Sequence, residues 1–395
     1  MKLLFVHDHI YKVTSDLNVY SYNFSYEILN RYRAVFSEIT VLARCERVKQ
    51  VADDIPISSG DGVEFLFLDS ISNIESYFKK RAIYKRYIKE LLLNFDAIIV
   101  RVPSEFGIVV AKVAIELDKI YLVEVVGCGW DSMISYGGVV SKIYAPILYL
   151  KMRFIVSKAT HIIYVSDSFL QSRYPPDDRA KVASISNVDL EDVDISILRY
   201  RHSKIKKKES ILKIGTVARL DMRYKGVDIA LKALSCYDIG EFEYHILGLG
   251  ERDYIDSLIV KYDLKGRVYI DSFCSDKDSL NRWIDEIDIY IQPSRAEGLS
   301  RALIEVMSRG VPSIGSNVGA MGELLDTNVL FDVKESGELI AILKRLSFSK
   351  TFMLRESKRN FYLAKRYNRD VLNQKRESFL ESFKRDIFLS KAMDG

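Results

Sequence analysis

The chain has 395 residues, 48% of them hydrophobic and 28% charged, enough for two domains of ordinary size with separate cores. Its 58 basic and 54 acidic side chains leave a net charge of only +4, too small an excess to indicate a nucleic-acid-binding protein. Four scattered cysteines without a C-x-x-C pair exclude a disulfide scaffold and a zinc ribbon, and no apolar run approaches the ~18 residues of a membrane-spanning helix.

In chain order, Lys2 to Val6 reads as a first buried strand, a polar loop runs to about Asn23, a helix covers Phe24 to Val35, and Glu38 to Ala43 is the second strand. This is the opening of a wound α/β domain, in which the first strand-to-helix loop faces the ligand crevice. The start MKLLFVHDH has too few apolar residues for a secretory leader, so a cytoplasmic location is expected. His7 and His9 flank Asp8, but two histidines without a third ligand read as local hydrogen-bonding groups rather than a metal pair. From Glu75 to Phe95 a helical period places Tyr77, Ile83, Tyr84, Tyr87, Ile88, Leu91 and Leu92 on an apolar face. Its polar positions are almost all basic (Lys79, Lys80, Arg81, Lys85, Arg86, Lys89), which fits either a solvated face with its tyrosines in the core or a surface for anionic lipid. Asp96 to Arg101 and Ile120 to Val126 are further buried strands, the latter running into VGCGWD. His161 opens the strand Ile162 to Ser166 as a structural residue. Arg199 to Lys213, RYRHSKIKKKESILK, has almost no apolar pattern until its end and reads as an interdomain linker.

A second wound domain begins with the strand Leu212 to Val217. Arg219 and Lys225 share the loop that follows, and a helix resumes over Val227 to Leu234. His245 to Gly250, HILGLG, is a strand ending in a glycine loop at Gly248, a weak nucleotide-site signal by itself. Val268 to Cys274 is another strand and loop. The strand Ile287 to Ile291 then meets Pro293 and Ser294, a polar turn carries Glu297 and Gly298, and a helix is expected from about Ser300 to Arg309, stopped by Gly310 and Pro312. Val311 to Ile314 is the next strand, and a glycine-bearing loop leads to a helix at Glu323. Open parallel sheets hold ligands at the carboxyl ends of their strands, so both loops face the ligand. The free N–H groups of Leu299, Ser300 and Arg301 favour an anion there, most often phosphate. Arg219 and Lys225 beside that helix start can neutralise a diphosphate without a metal. Glu305, about two turns along the helix, suits a ribose diol, whose two hydroxyl hydrogens a carboxylate can accept. Taken alone, Glu297 and Glu305 read more readily as ordinary solvated residues, and the surrounding residues reverse that reading. Asp192-Val-Asp194 and Asp276-Lys-Asp278 match a D-x-D metal pattern, but neither follows an apolar strand end, and no catalytic metal is expected. A long basic helix, Asp370 to Met393, ends the chain.

The stretch EGLSRALIEVMSRGVPSIGSNVGAMGEL, with its two glutamates separated by seven residues, resembles the signature of the retaining glycosyltransferase family four, of the two-domain GT-B type. GTVARLDMRYKGVDIALKAL extends the resemblance, which is strongest from Gly215 to Leu325. VEVVGCGWD and FLQSRYP are similar to bacterial capsule, exopolysaccharide and O-antigen transferases. The departures are Ser300 in place of proline or glycine, Ala320 in place of a glycine, Gly322 in place of a proline, no histidine near Asp131 and no glycine near Asn23.

The resemblance implies two Rossmann-like domains facing each other across a cleft. Residues 1–200 would be the acceptor domain, joined by the last helix returning near Leu372, and residues 201–371 the nucleotide-sugar domain. It implies metal-independent transfer of a hexosyl residue from a nucleotide-diphosphate sugar, a UDP-sugar before GDP-mannose, to a lipid-linked oligosaccharide, with no cofactor. Peripheral contact with the inner face of an anionic membrane through residues 75–95 is the accompanying expectation. Carried onto this chain, the catalytic residues are Glu297, Arg219 and Lys225. The remaining donor contacts are Gly248, Phe273, Cys274, Gly298, Leu299, Ser300 and Glu305. Asn23, Trp130 and Asp131 are acceptor-side candidates, although Trp130 reads equally as a packing residue. A nucleotide-sugar epimerase on the same scaffold and a non-catalytic scaffold domain are the rival readings.

Overall fold

The computed structural model describes residues 1–69, 74–207, 211–236, 240–272, 274 and 276–393, with side chains throughout except at 74–82, 136 and 393. Two compact units result: Met1–Gly129, Pro146–Ile185 and Leu372–Gly395 form the first, Trp130–Ala145 and Ser186–Val371 the second. Each is a Rossmann-like α/β unit built on a parallel sheet.

In the first unit the strands are β1 (Lys2–Val13), β2 (Val19–Tyr20), β3 (Glu38–Arg47), β4 (Val63–Phe67), β5 (Ala97–Val102), β6 (Leu122–Val125), β7 (His161–Tyr164) and β8 (Lys181–Ser184). The parallel order is β4-β3-β1-β5-β6-β7-β8, with β2 antiparallel on β1. Leu3 to Val6 and Ile98 to Val100 are fully buried, as continuous apolar runs are when helices cover both faces of a sheet. The steps β4 to β5, β5 to β6 and β6 to β7 all run the same way across the sheet. Right-handed crossovers therefore put the helices Ile74–Leu91, Glu105–Glu116 and Val139–Lys158 on one face. The Tyr84 ring meets Phe106 edge-on, and Lys151 pairs with Glu105 at 3.2 Å, as neighbours in that layer.

Two expectations for this unit change. The first strand does not end at Val6: after a register shift between Val6 and Ile10 it continues to Val13, because Tyr11 and Val13 turn inward and β2 pairs with its end. His7 and His9 thus lie within β1. The helix expected over 24–35 is helical only at Tyr26–Asn30, and tighter turns follow in which Tyr32 donates to the buried Glu124 carboxylate at 2.6 Å. The last helix, Arg369–Met393, buries Leu372, Leu380, Phe383 and Ile387, with the Phe383 ring 5.0 Å from His161.

In the second unit β9 (Leu212–Val217), β10 (Phe242–Leu247), β11 (Val268–Asp271), β12 (Ile289–Gln292), β13 (Ser313–Ser316) and β14 (Leu330–Phe331) are ordered β11-β10-β9-β12-β13-β14, all parallel. The expected linker at 199–213 is instead mostly a helix, Ile195–Lys207, and the main stretch of this unit begins at Ser186, ahead of residue 201, with Trp130–Ala145 joining it from earlier in the chain. Leu198 and Ile205 are buried, and so is Arg201, which donates to the carbonyls of Ile287 at 2.5 Å, Ile284 at 3.0 Å and Arg309 at 3.2 Å. A guanidinium whose fork of donors is satisfied by carbonyls can take an interior helix position that composition alone assigns to solvent.

Candidate functional site

Strand order reverses between β9 and β12: from β9 the chain winds outward through β10 and β11, then returns to the other side of β9 as β12. Such a switch point splays the adjoining loops and opens a crevice at the carboxyl ends of the strands. Arg219 and Lys225 follow β9, and Glu297 follows β12.

Backbone contacts hold these loops together. Arg223–Lys225 is a single 3-10 turn ended by Gly226 at φ +72°, where an added Cβ would come within 1.8 Å of the Pro293 carbonyl oxygen. Gly319, after β13 and at φ +57°, lies equally close to the Glu297 carbonyl, 1.8 Å from an added Cβ. Arg295 is the side-chain clamp. Its guanidinium grips Asp228 through two bonds of 2.8 and 2.7 Å and donates to the Arg223 carbonyl at 2.9 Å, while its amide donates to the Tyr224 carbonyl at 2.7 Å. Neither Arg295 nor Asp228 was singled out from sequence, because nothing local marks a pair 67 positions apart.

Glu297 sits at the centre. Its Oε1 accepts from Lys225 Nζ at 2.8 Å, Ser294 Oγ at 2.8 Å and Gln292 Nε2 at 3.4 Å, while Oε2 accepts no hydrogen bond among the described residues. Gln292 is fixed in turn by the Tyr290 hydroxyl at 2.7 Å and the Ser300 hydroxyl at 3.3 Å. Burial works to lower the Lys225 pKa, but Glu297 outweighs it and the net direction is upward, so the lysine is held charged.

The helix after this loop is Arg301–Ser308, one residue shorter at each end than expected. Ser300 is its cap, accepting the Leu303 amide at 3.3 Å. A serine cap thus accounts for the residue that departs from the family pattern. Gly298 and Leu299 are half-buried between Glu297 and that cap. Glu305 is half-buried and takes no hydrogen bond or ion pair among the described residues. Burial raises its pKa, with Arg301 and Lys277 pulling the other way. A half-buried carboxylate without a donor is the kind of group a ligand completes.

Arg219 is largely exposed and is gripped by Asp221 at 3.0 and 2.7 Å, a partner not foreseen. Gly248 follows β10 beside this loop, where Ala218 donates to the Leu247 carbonyl at 3.0 Å and Leu220 to the Leu249 carbonyl at 2.9 Å. Cys274 is half-buried, its thiol pushed up by burial and so kept protonated. Phe273 lies outside the described residues. The helix expected at Glu323 is one turn, Met321–Leu324. The D-x-D aspartates serve helix starts: Asp194 accepts the Ser196 amide at 2.7 Å, and Asp276 the Ser279 amide at 2.7 Å. Among the described residues, no group of three or more histidine, cysteine, aspartate or glutamate side chains could hold a metal.

On the acceptor-side candidates, Asn23 is exposed in the first unit, its amide donating to Ser21 Oγ at 3.1 Å. Trp130 and Asp131 open the helix Gly129–Tyr136 rather than lying in a loop, and Trp130 is 36% exposed. The first unit has its own switch point between β1 and β5. There the Asp8 carboxylate accepts the Glu105 amide at 2.5 Å and the Phe106 amide at 3.1 Å, filling a helix start where an anion would otherwise sit. His7 is bonded to the Tyr11 hydroxyl at 3.1 Å and His9 to Ser21 at 2.7 Å. Burial pushes His7 well below its usual pKa and His9 down to about 4, so both are neutral at pH 7.

Residues 212–347 match the family described as "Glycosyl transferases group 1", a span holding Arg219, Lys225, Glu297 and Glu305. Along its whole length the chain is 31% identical to Protein CapJ of Staphylococcus aureus, over 410 aligned positions that cover 100% of this chain and 99% of the relative. It is 34% identical to the amylovoran biosynthesis glycosyltransferase AmsK of Erwinia amylovora over 34% of this chain and 36% of that protein. Among solved structures, Anabaena Alr3699/HepE in complex with UDP-glucose matches with a TM-score of 0.64 and 18% identity, covering 97% of this chain and 100% of that one, a likeness of fold.

Proposed function

Because this chain belongs to the group 1 glycosyl transferases and has their two-unit GT-B fold, we propose that it moves a hexosyl residue from a nucleotide-diphosphate sugar to a hydroxyl of a lipid-linked oligosaccharide in surface-polysaccharide assembly. In this reading it works at the cytoplasmic face of the membrane, retains the anomeric configuration and needs no metal. The observation that carries it is the pairing of Lys225 with Glu297 at 2.8 Å across the switch point, together with a Glu305 carboxylate, on the helix that follows, that has no partner among the described residues. The name of the relative in amylovoran biosynthesis supports the polysaccharide acceptor, and the UDP-glucose held by the structural relative supports a UDP-sugar before GDP-mannose.

The donor diphosphate approaches Arg219, Lys225 and the amides at the start of the helix Arg301–Ser308. Glu297 offers Oε2 to donor-sugar hydroxyls, and Glu305 accepts the two hydroxyl hydrogens of the ribose. As the anomeric carbon–oxygen bond breaks, negative charge grows on the leaving diphosphate, where the two cations already stand. The acceptor oxygen bonds to the same face of the anomeric carbon, and its proton passes to a donor phosphate oxygen, leaving a nucleoside diphosphate and the extended glycan. This front-face route needs no enzymic nucleophile. Removing one preorganised donor in such a site costs ~10²–10³ in rate.

The test is turnover of a panel of UDP- and GDP-sugars by the wild type and by Arg219→Ala and Lys225→Ala. Each variant is expected to lose about 10²-fold or more while keeping its circular-dichroism spectrum. Undiminished transfer by either overturns the reading, and release of an epimerised donor without acceptor assigns the epimerase activity instead.

A further inference from the structure

We propose that Gln292 is a positioning residue of the donor site: through a one-way chain of hydrogen bonds it fixes Glu297 Oε1 and leaves Oε2 to the donor sugar. The inference rests on the transfer reading, in which Glu297 binds donor-sugar hydroxyls, and every member of the chain lies in the second unit. Gln292 ends β12 and is 1% exposed, and Tyr290, Ser294 and Ser300 around it are buried as well. Its Oε1 accepts from the Tyr290 hydroxyl at 2.7 Å and from the Ser300 hydroxyl at 3.3 Å. Its Nε2 donates to Ser294 Oγ at 2.8 Å and, at a longer 3.4 Å, to Glu297 Oε1. Ser294 Oγ in turn donates to Glu297 Oε1 at 2.8 Å.

The direction of each hydrogen follows from what each hydroxyl already receives. Tyr290 accepts the amide of Val217, at the end of β9, at 3.3 Å, and Ser300 accepts the Leu303 amide at 3.3 Å. Each hydroxyl has one hydrogen, and Gln292 Oε1 is where it goes. Burial pushes the Tyr290 hydroxyl far above its ordinary pKa, so that hydrogen stays in place. With Oε1 taken by two donors, the amide presents Nε2 to Ser294, and the single Ser294 hydrogen is committed to Glu297. A flipped amide would set its carbonyl oxygen against the Glu297 carboxylate. Backbone amides of β9 and of the helix Arg301–Ser308 therefore lead, through two hydroxyls and one buried amide, to a single oxygen of Glu297. Hydrogen bonds aligned in this way strengthen one another in a low-dielectric interior. The same amide couples the carboxylate to Ser300, the cap of the helix whose free N–H groups face the diphosphate.

The experiment is donor turnover and thermal unfolding of the full chain, from about pH 5 to about pH 8, for the wild type, Gln292→Glu and Gln292→Met. In the isosteric Gln292→Glu the introduced carboxyl donates to Ser294 only while protonated. Once ionised it takes the Ser294 hydrogen for itself and repels the Glu297 carboxylate. Burial and Glu297 raise its pKa, with Lys225 pulling the other way. Its kcat relative to the wild type is therefore expected to start within about threefold of one and to fall about tenfold or more as pH rises, with donor KM changing less. Its melting temperature relative to the wild type is expected to fall in the same direction, because a carboxyl whose pKa is raised in the folded state gives stability at acid pH that is lost as pH rises. Gln292→Met has no hydrogen to give and is expected to be about tenfold slower at every pH. In an enzyme that transfers sugar, a kcat ratio for Gln292→Glu that is flat across pH, or full turnover by Gln292→Met, overturns the role of Gln292. A melting difference independent of pH overturns the hydrogen-bond chain itself, and a wild type without transfer overturns the transfer reading on which the role rests.

Discussion

Glu297, in the loop before the helix Arg301–Ser308, and Glu305, within that helix, have opposite electrostatic lives. The first is tied by a lysine, a serine and a glutamine on one oxygen, while the second receives no donor from the described protein. Burial without a donor penalises the charged form of Glu305, so Glu305→Gln is expected to leave the melting temperature unchanged or raise it at neutral pH. If the ribose takes both carboxylate oxygens, the same change raises the donor KM far more than it lowers kcat. The pH sign is fixed as well. The Glu305 pKa is raised above its ordinary value of 4.5, so donor binding weakens as pH falls through that raised value. The glutamine variant loses this acidic limb, which nucleotide-sugar titrations across the acidic range would show. At this scale the sequence displayed the acids and cations through their spacing around strand ends and a helix start. It did not display Asp221 on Arg219 or Asp228 on Arg295, because an ion pair carries no periodicity.

Among the elements, the loops after β9, β12 and β13 act as one body because glycine lets two backbones touch. Gly226→Ala would need both a left-handed alanine and a retreat of the Pro293 carbonyl, and is expected to cost roughly 2–6 kcal/mol and to misplace Lys225. Gly337→Ala, where an added Cβ meets nothing within 4 Å, is the neutral control. Thermal unfolding and turnover of the two variants check this, and equal stability would dissociate the loops. Strands were readable as uninterrupted apolar runs, and the helix Arg301–Ser308 from its Gly and Pro stop. The helix Ile195–Lys207 was not, since its inward arginine reads as polar. On the helix Ile74–Leu91, the side chains of the expected Lys79, Lys80 and Arg81, like Tyr77, lie outside the described residues.

For the molecule as a whole, the first unit is assembled from three stretches of chain, and the last of them is the helix from Leu372 onward. Leu372, Leu380, Phe383 and Ile387 are each buried there. At roughly 1.5–3 kcal/mol per buried apolar side chain they contribute about 6–12 kcal/mol, as much as the net stability of a typical domain. A chain truncated after Val371 is therefore expected to lose hydrogen-exchange protection at Leu3 to Val6 while keeping it at Ile289–Gln292. Protection kept in both would show that the first unit stands without its final helix. The division into two wound units was legible from alternating strands and helices, whereas the boundary at Ser186 was hidden by the basic composition of the helix that follows it.

That final helix also bears on the order of folding. The first unit covers its hydrophobic side only when the segment from Leu372 comes back to β1 and its neighbours, whereas the second unit's strands, β9 to β14, are close together in the chain. Closing the longer loop costs more chain entropy, so the first unit is expected to complete its folding after the second.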